Sequence, residues 1–253
     1  MTMLDLNNAI LVSLLVIALT TLLLFVSLRK ATTSAAGKEG IISNKKPIFV
    51  IAGPSNSGKT SLFTLLSNNK QRPTVTSLDV SKLENLDNRI NVIEFPGHFK
   101  LRYKLIDFLK KNPKIAGVIY VVDSTVDPKE LTKTAEFLLD VLLITESKKN
   151  MEPNILIACN KSESFSSRPP LRIKEALETE ISKIIVRKKK SIGDVNIITQ
   201  DGTDESNELE MLKELSSSGK FSFNLLEGSV DAISGSVLKK DIVKWQEWIE
   251  EQL

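Results

Sequence analysis

The chain has little of what builds a disulfide framework or a nucleic-acid-binding surface. Its 253 residues include one cysteine, Cys159, which allows no internal disulfide and lies in an apolar run, typical of a reduced core residue in a cytosolic domain. The net charge of +3 is small and dispersed, so we predict no direct sequence-specific binding of nucleic acid. With 42% hydrophobic and 26% charged residues, the chain is expected to form one globular domain with an appendage.

Lysine and arginine are absent before Arg29. Residues 9–28 form a twenty-residue stretch without any charge, and as a helix it would be about 30 Å long, the thickness of a bilayer core. A signal peptide would need a basic start and a shorter apolar core, whereas the start here carries only Asp5. A buried helix of a soluble domain is the other alternative. We predict a transmembrane helix over 9–28, preceded by a short N-terminus, 1–8.

The charges that follow this segment predict its orientation. Every nearby basic residue lies on the C-terminal side, namely Arg29, Lys30, Lys38, Lys45 and Lys46. The positive-inside rule therefore leaves residues 1–8 outside the cytosol and the rest of the chain in it. Residues 29–46 contain few apolar side chains and are predicted to be a linker to a domain over 47–253.

A phosphate-binding loop follows the first predicted strand. Residues 53–60 match G-x-x-x-x-G-K-[ST], with an apolar strand before them and helical spacing after them, as this motif requires. Its glycines let backbone N–H groups face one concavity at a helix N-terminus, which attracts phosphate. A glycine-rich turn with a chance match is the alternative. We predict nucleotide contacts from Gly53, Pro54, Ser55, Asn56, Ser57, Gly58, Lys59, Thr60 and Ser61.

The rest of the domain alternates predicted strands and helices. Further strands are predicted over 90–95, 116–123, 154–160 and 221–227, and helices over 61–68, 99–111, 128–145, about 171–190 and 238–252. The near-continuous apolar runs at 116–123 and 154–160 are typical of parallel strands covered on both faces. We predict an α/β fold of the P-loop NTPase type, with a doubly wound, mostly parallel sheet between helices. Residues 191–220 are polar and are predicted to be an insertion or loop.

A second motif indicates which base is bound. Asn160, Lys161, Ser162 and Glu163 follow an apolar strand, where a doubly wound fold places its ligand crevice. The pattern in GTP-binding proteins is N-K-x-D: the asparagine addresses guanine N7 and O6, the lysine stem packs on the ring, and the carboxylate accepts from N1–H and the exocyclic amine. Adenine lacks that donor pair, so the acid disfavours ATP. Glu163 replaces the aspartate and keeps its charge. An ordinary polar turn is the alternative.

With both motifs in register, the chain resembles the small Ras-like GTPases, nearest the Arf and Sar branch. Within them it is most similar to the family of signal recognition particle receptor β subunits. The resemblance runs from residue 47 to the C-terminus and includes the single N-terminal span. It is carried by Pro96-Gly97-His98, by the run 157–161 and by the closing helix with Trp245 and Trp248; Asn160–Glu163 and Arg168-Pro169-Pro170 resemble the fungal members.

The resemblance implies further site residues. Thr74 is similar in position to the switch threonine that closes on Mg²⁺ and the γ-phosphate, with Thr76 as an alternative. Gly97 resembles the glycine whose N–H meets the γ-phosphate. Ser229 and Val230, in a Gly-Ser-Val run, resemble the last guanine-contacting loop. The cofactors implied are GTP or GDP with Mg²⁺.

Two positions depart from the family pattern. The D-x-x-G of the second switch is here Glu94-Phe95-Pro96-Gly97. Glu94 is expected to reach Mg²⁺ through water, beside Thr60 and Thr74 as metal-site residues, although Mg²⁺ tolerates little distortion of its octahedron. His98 stands where Ras-like proteins carry the glutamine that orients the attacking water. It is a candidate catalytic residue or, alternatively, a residue that packs or contacts a partner.

The function that the resemblance implies is a membrane-anchored GTP-binding subunit at the endoplasmic reticulum, with a lumenal N-terminus and a cytosolic domain. Its implied partner is the receptor α subunit, and through it the ribosome and the translocation channel. Hydrolysis is expected to be slow or partner-dependent. The alternatives are a constitutively GTP-loaded structural anchor, an Arf-like trafficking GTPase (although the myristoylation signature is absent) and, least favoured, a P-loop kinase.

Overall fold

The computed structural model describes residue 20 and residues 46–68, 73–75, 77–112, 114–127, 130–147, 153–195, 211–212, 214–215 and 219–253. The segment Lys46–Leu253 forms one compact unit. The predicted N-terminus (1–8), membrane helix (9–28, Thr20 apart) and linker up to residue 45 lie outside the described residues, as do 196–210 of the predicted insertion. Within the described part of the chain, no helix is long and apolar enough to cross a membrane.

A six-stranded sheet forms the centre of this unit. Its strands are β1 (Ile48–Ala52), β2 (Ser81–Leu86), β3 (Ile90–Glu94), β4 (Ile115–Asp123), β5 (Asn154–Asn160) and β6 (Val230–Ser234). Their order across the sheet is β2-β3-β1-β4-β5-β6. Only β2 and β3 pair antiparallel, so the predicted doubly wound, mostly parallel sheet is confirmed.

Helices follow the parallel strands. They are α1 (Lys59–Asn68), α2 (Arg102–Lys111), α3 (Leu131–Glu146), α4 (Pro170–Val195) and α5 (Val243–Glu251), with short 3-10 helices at Phe99–Leu101 and Phe223–Leu225. Helices lie on both faces of the sheet, and successive side chains of a strand point to opposite faces, so adjacent residues of β4 meet different layers. Val121 belongs to the apolar cluster that includes α1 and α5, whereas Tyr120 packs edge-on against Phe137 of α3.

The inner strands are buried over almost their whole length. Every residue of β1 and β3 is buried, as are seven of nine in β4 and six of seven in β5. This burial is what a near-continuous apolar run predicts for a strand covered on both faces. It also confirms the core placement of Cys159, which is fully buried and has a free thiol.

The structure corrects four element predictions. The strand predicted over 221–227 is a 3-10 turn, and the last strand is β6 instead. The edge strand β2 has no counterpart in the prediction. Helix α4 continues to Val195, so the first five residues of the predicted insertion at 191–220 are helical. Helix α5 begins at Val243, because the preceding residues form a turn closed by a bridge between Ser236 and Asp241.

Candidate functional site

One open cavity of about 400 Å³ lies where β1 and β5 end and α1 begins. In an open α/β sheet the ligand crevice forms at the carboxyl ends of the strands. Most of the residues predicted to bind nucleotide are brought together here. The lining comprises Ser55, Asn56, Gly58, Lys59, Thr60, Ser61, Thr74, Val75, Ser77, Gly97, Asn160, Lys161, Glu163, Val237 and Leu238. Gly53, Pro54 and Ser57 belong to the same loop without lining the cavity.

The loop between β1 and α1 needs its two glycines. Gly53 and Gly58 have φ angles of 135° and 98°, in a region that residues with a Cβ rarely adopt. A Cβ on Gly58 would also overlap the side-chain amide of Asn160. The loop is closed by a hydrogen bond that the Ser57 hydroxyl donates to the Pro54 carbonyl, 3.0 Å away. The loop therefore has contacts of its own that hold this turn together.

Lys59 starts α1 and is almost completely buried, with 5% of its surface exposed. Its Nζ donates to the Pro54 carbonyl at 2.6 Å. Burial lowers the pKa of Lys59 to about 8, and the nearby carboxylate of Glu94 opposes that shift. Gly97 approaches so closely that a Cβ there would lie 2.6 Å from Lys59 Nζ. A buried ammonium with one fixed partner beside a helix N-terminus is well placed to meet an anion.

Thr60 and Glu94 form a contact beneath the cavity. The Thr60 hydroxyl donates to Glu94 Oε1, while Glu94 Oε2 is buried and has no hydrogen-bond partner among the described residues. Burial raises the pKa of Glu94, opposed by the bond from Thr60, the charge of Lys59 and, more weakly, the nearby Ser81 hydroxyl. A hydroxyl beside a carboxylate with a spare oxygen is the kind of oxygen donor set that suits Mg²⁺. These residues therefore fit the predicted metal site.

Thr74 reaches the cavity from the segment that follows α1. It is exposed, and its hydroxyl lies 2.9 Å from the Ser61 hydroxyl, so that the two share a hydrogen bond. The structure thus places a hydroxyl from this segment at the first turn of α1. Thr76, the alternative position, lies outside the described residues.

Asn160 connects three loops at the far end of the cavity. Its Nδ2 donates to the Ser57 carbonyl at 2.8 Å, and its Oδ1 accepts from Val237 N–H at 3.1 Å. Its own carbonyl accepts from Ser124 N–H at 3.0 Å. Sequence reasoning assigned Asn160 to the base alone and missed this structural role, which no sequence signal indicates.

Lys161 and Glu163 flank the same region of the cavity. Lys161 has a φ of 65°, which is uncommon for a side-chain-bearing residue, and its ammonium forms an ion pair with Asp123. Asp123 also accepts hydrogen bonds from the N–H and hydroxyl of Thr125. Burial alone would raise the pKa of Asp123, but the bonds from Lys161 and Thr125 lower it. Glu163 Oε2 is buried and lacks a partner within the described part of the chain.

The predicted placement of Ser229 and Val230 at the base is wrong. Val230 starts β6 and pairs with Ile155 at the beginning of β5, and Ser229 N–H donates to Asn154 Oδ1 at 3.0 Å. Both residues therefore lie at the end of the strands that is opposite to the cavity. The loop that reaches the cavity follows β6, and its Val237 and Leu238 are lining residues.

His98 does not line the cavity. Its Nδ1 accepts from Lys100 N–H at 3.3 Å and so caps the short 3-10 helix, and its ring lies 4.8 Å from that of Phe99. This arrangement corresponds to the packing alternative. Metal-binding clusters of three or more histidine, cysteine, aspartate or glutamate side chains do not occur among the residues described.

Comparisons with known proteins agree with this geometry. The family model described as signal recognition particle receptor beta subunit matches residues 44–230. The receptor subunit beta of Saccharomyces cerevisiae is 47% identical over 251 residues, which cover 98% of this chain and 100% of that protein. A chain of the mammalian SRP receptor structure is 28% identical with a TM-score of 0.65, covering 81% of this chain and 100% of that one. The SRb-GDP-Mg structure from Chaetomium thermophilum is 26% identical with a TM-score of 0.59, covering 82% and 99%.

Proposed function

We propose a function from the premise that this chain belongs to the family of signal recognition particle receptor β subunits. It is a guanine-nucleotide-binding subunit of that receptor. A helix over 9–28 anchors it in the endoplasmic reticulum membrane, and its cytosolic domain docks the receptor α subunit for co-translational targeting. Through the α subunit, it acts near the ribosome and the translocation channel.

The observation that carries the proposal is the buried, unpartnered carboxylate oxygen Oε2 of Glu163, beside a cavity that a phosphate-binding loop also lines. A buried acceptor without a donor is unfavourable until a ligand supplies one. Guanine offers N1–H and an exocyclic amine, whereas adenine offers no such pair. Glu163 therefore selects guanine, the Lys161 stem packs on the ring, and Asn160 presents its amide edge. Val237 and Leu238 border the base in place of Ser229 and Val230.

The phosphates meet the N-terminus of α1. Lys59 and the backbone N–H groups of residues 53–61 neutralise and orient them. Thr60, Thr74 and, through water, Glu94 would hold Mg²⁺, which would supply charge neutralisation at the phosphates. Gly97 donates its N–H to the γ-phosphate, so that its segment distinguishes GTP from GDP.

The partner surface includes four exposed apolar side chains near the two nucleotide-sensing segments. Val75 and Leu78 precede β2, and Phe99 and Tyr103 follow Gly97; 88%, 65%, 66% and 62% of their surfaces are exposed. Exposed apolar side chains that adjoin a ligand-sensing segment are typical of a docking site. We assign this surface to the α subunit.

A constitutively loaded anchor is the second candidate, and the position of His98 favours it. The ring is used to cap Lys100 N–H and does not line the cavity, so nothing described orients an attacking water. Single-turnover GTP hydrolysis with and without the α subunit separates the candidates. Rapid hydrolysis with the partner supports a cycling switch, and none in either case supports the anchor.

The first test is titration of the full chain in detergent with GTP, GDP and ATP, with and without Mg²⁺. We expect guanine nucleotides to bind and ATP not to compete, with Mg²⁺ strengthening GTP binding. Glu163→Ala tests the base contact, and Glu175→Ala on the exposed face of α4 is its matched control. Preference for ATP, or no binding at all, contradicts the proposal.

A further inference from the structure

Arg102 occupies a place that the nucleotide site does not explain. It begins α2, five residues after Gly97, and its guanidinium reaches away from the cavity towards α3. Its Cζ lies 4.3 Å from the centre of the Phe137 ring, and its Nη2 is 3.4 Å from the Lys133 carbonyl. Lys133, Phe137 and Asp140 lie on one face of α3, because they are four and three residues apart.

The side chains that Arg102 packs against are buried and held by further contacts. Phe137 is fully buried and packs against Tyr120 of β4, and the Tyr120 hydroxyl donates to the Thr134 carbonyl at 2.8 Å. Asp140, which also pairs with Lys188 at 3.5 Å, adds a negative charge that acts on Arg102. Arg102 Nε is buried and has no hydrogen-bond partner in the described structure. The guanidinium is therefore held mainly by the ring and by charge, and such contacts strengthen where water is excluded.

None of the four side chains between Gly97 and Arg102 is buried. Gly97 is buried against the phosphate-binding loop, and the next fully buried residue along the chain is Leu105 in α2. Phe99 and Lys100 are exposed between them. Helix α2 has no side-chain hydrogen bond at its N-cap, Leu101. Arg102 thus joins the first turn of α2 to α3.

We propose that Arg102 is a positioning residue, which fixes the far end of the Gly97–Leu101 segment so that Gly97 is presented to the γ-phosphate. This inference rests on the proposed function. Without the contacts of Arg102, the first turn of α2 frays, and Gly97 must be ordered again each time GTP binds, at a cost in conformational entropy. GDP has no γ-phosphate and requires no such ordering. Loss of Arg102 therefore weakens GTP binding selectively.

The test compares affinities for GDP and a non-hydrolysable GTP analogue, measured on the full chain in detergent. For Arg102→Met we expect the GTP-to-GDP affinity ratio to fall at least about fivefold while GDP affinity stays within about twofold, because only GTP binding orders the segment. Arg102→Lys keeps the charge and should recover part of the loss. Lys110→Met, an exposed position of the same helix, should change neither affinity.

A second readout does not depend on nucleotide. Trypsin cleavage after the exposed Lys100 should accelerate several-fold in Arg102→Met and stay unchanged in Lys110→Met. If Arg102→Met lowers the affinities for GDP and for the GTP analogue equally, with a lower denaturation midpoint and no faster cleavage at Lys100, the role of Arg102 is merely structural and the inference is overturned. If the wild-type chain binds no guanine nucleotide, the proposed function fails and this role fails with it. Faster cleavage alone, with an unchanged affinity ratio, also refutes it.

Discussion

Replacing Asn160 by alanine tests whether the base-reading loop also holds the nucleotide-free domain together. Asn160 is 4% exposed, and its side chain bonds Ser57 of the first loop and Val237 of the last. If its only task were to contact guanine, the free energy of unfolding without nucleotide would not change. If it connects the loops, the substitution should destabilise the empty domain.

The magnitude follows from the two hydrogen bonds. Alanine removes both and leaves a carbonyl and an N–H group unsatisfied at a buried site, at about 1–3 kcal/mol each. The adjacent cavity admits water to part of this region, so the lower half of that range applies, and we expect a loss of about 3 kcal/mol. A domain of this size has about 5–15 kcal/mol of stability. The variant should therefore still fold.

Urea unfolding of the nucleotide-free protein, followed through Trp245 and Trp248, measures the effect. With an m-value near 3 kcal/mol/M, the midpoint should fall by about 1 M. Asn224→Ala, at an exposed position in the turn before β6, is the control and should change stability by less than about 0.5 kcal/mol. Wild-type stability in Asn160→Ala, combined with lost guanine affinity, would refute the connecting role.

Three further predictions concern the ligand contacts. Burial lowers the pKa of Lys59 to about 8, so the free protein loses this charge above pH 8. Nucleotide affinity should therefore fall by up to about tenfold at pH 9. At that pH, calorimetry should detect proton uptake when nucleotide binds to the wild type and none in Lys59→Met. Glu163→Ala should lower guanine affinity by about 30- to 1,000-fold without lowering the unfolding midpoint of the empty protein, because the buried Oε2 has no partner to lose. Glu94→Gln keeps an oxygen for Thr60 but removes the charge, so the gain in GTP affinity that Mg²⁺ gives the wild type should largely disappear; the same gain in the variant would contradict the metal assignment.

The sequence was most informative where strands are buried on both faces. The predicted bounds of β5 agree with the structure at both ends, because apolar side chains occupy nearly every position. The edge strands were missed for the opposite reason. Strand β2 exposes part of its length, and in β6 only Val230 is buried, so neither has an apolar run. The alternation of Phe221, Ser222 and Phe223 imitated a strand, although Ser222 caps a 3-10 turn.

The misplacement of the last base-contacting loop followed from that error. The tripeptide Gly-Ser-Val occurs at 228–230 and again at 235–237, and only the position of the preceding strand decides which copy reaches the cavity. The phosphate-binding loop and Asn160–Glu163 could be identified because their spacing is fixed by the ligand. The ion pair between Lys161 and Asp123 depends on two strand ends that are adjacent only in the folded sheet, and the sequence contains no local sign of it.

The single thiol of Cys159 gives this chain a built-in reporter. It lies in β5, between β4 and the edge strand β6, and burial raises its pKa to about 12, so an alkylating reagent should not react with it in the native state. Because strand side chains project out of the sheet plane, modification requires the layer that covers this face of β5 to open, and the rate of labelling measures how often it does. Cysteines introduced on the surface can carry probes of nucleotide-driven movement without removal of Cys159.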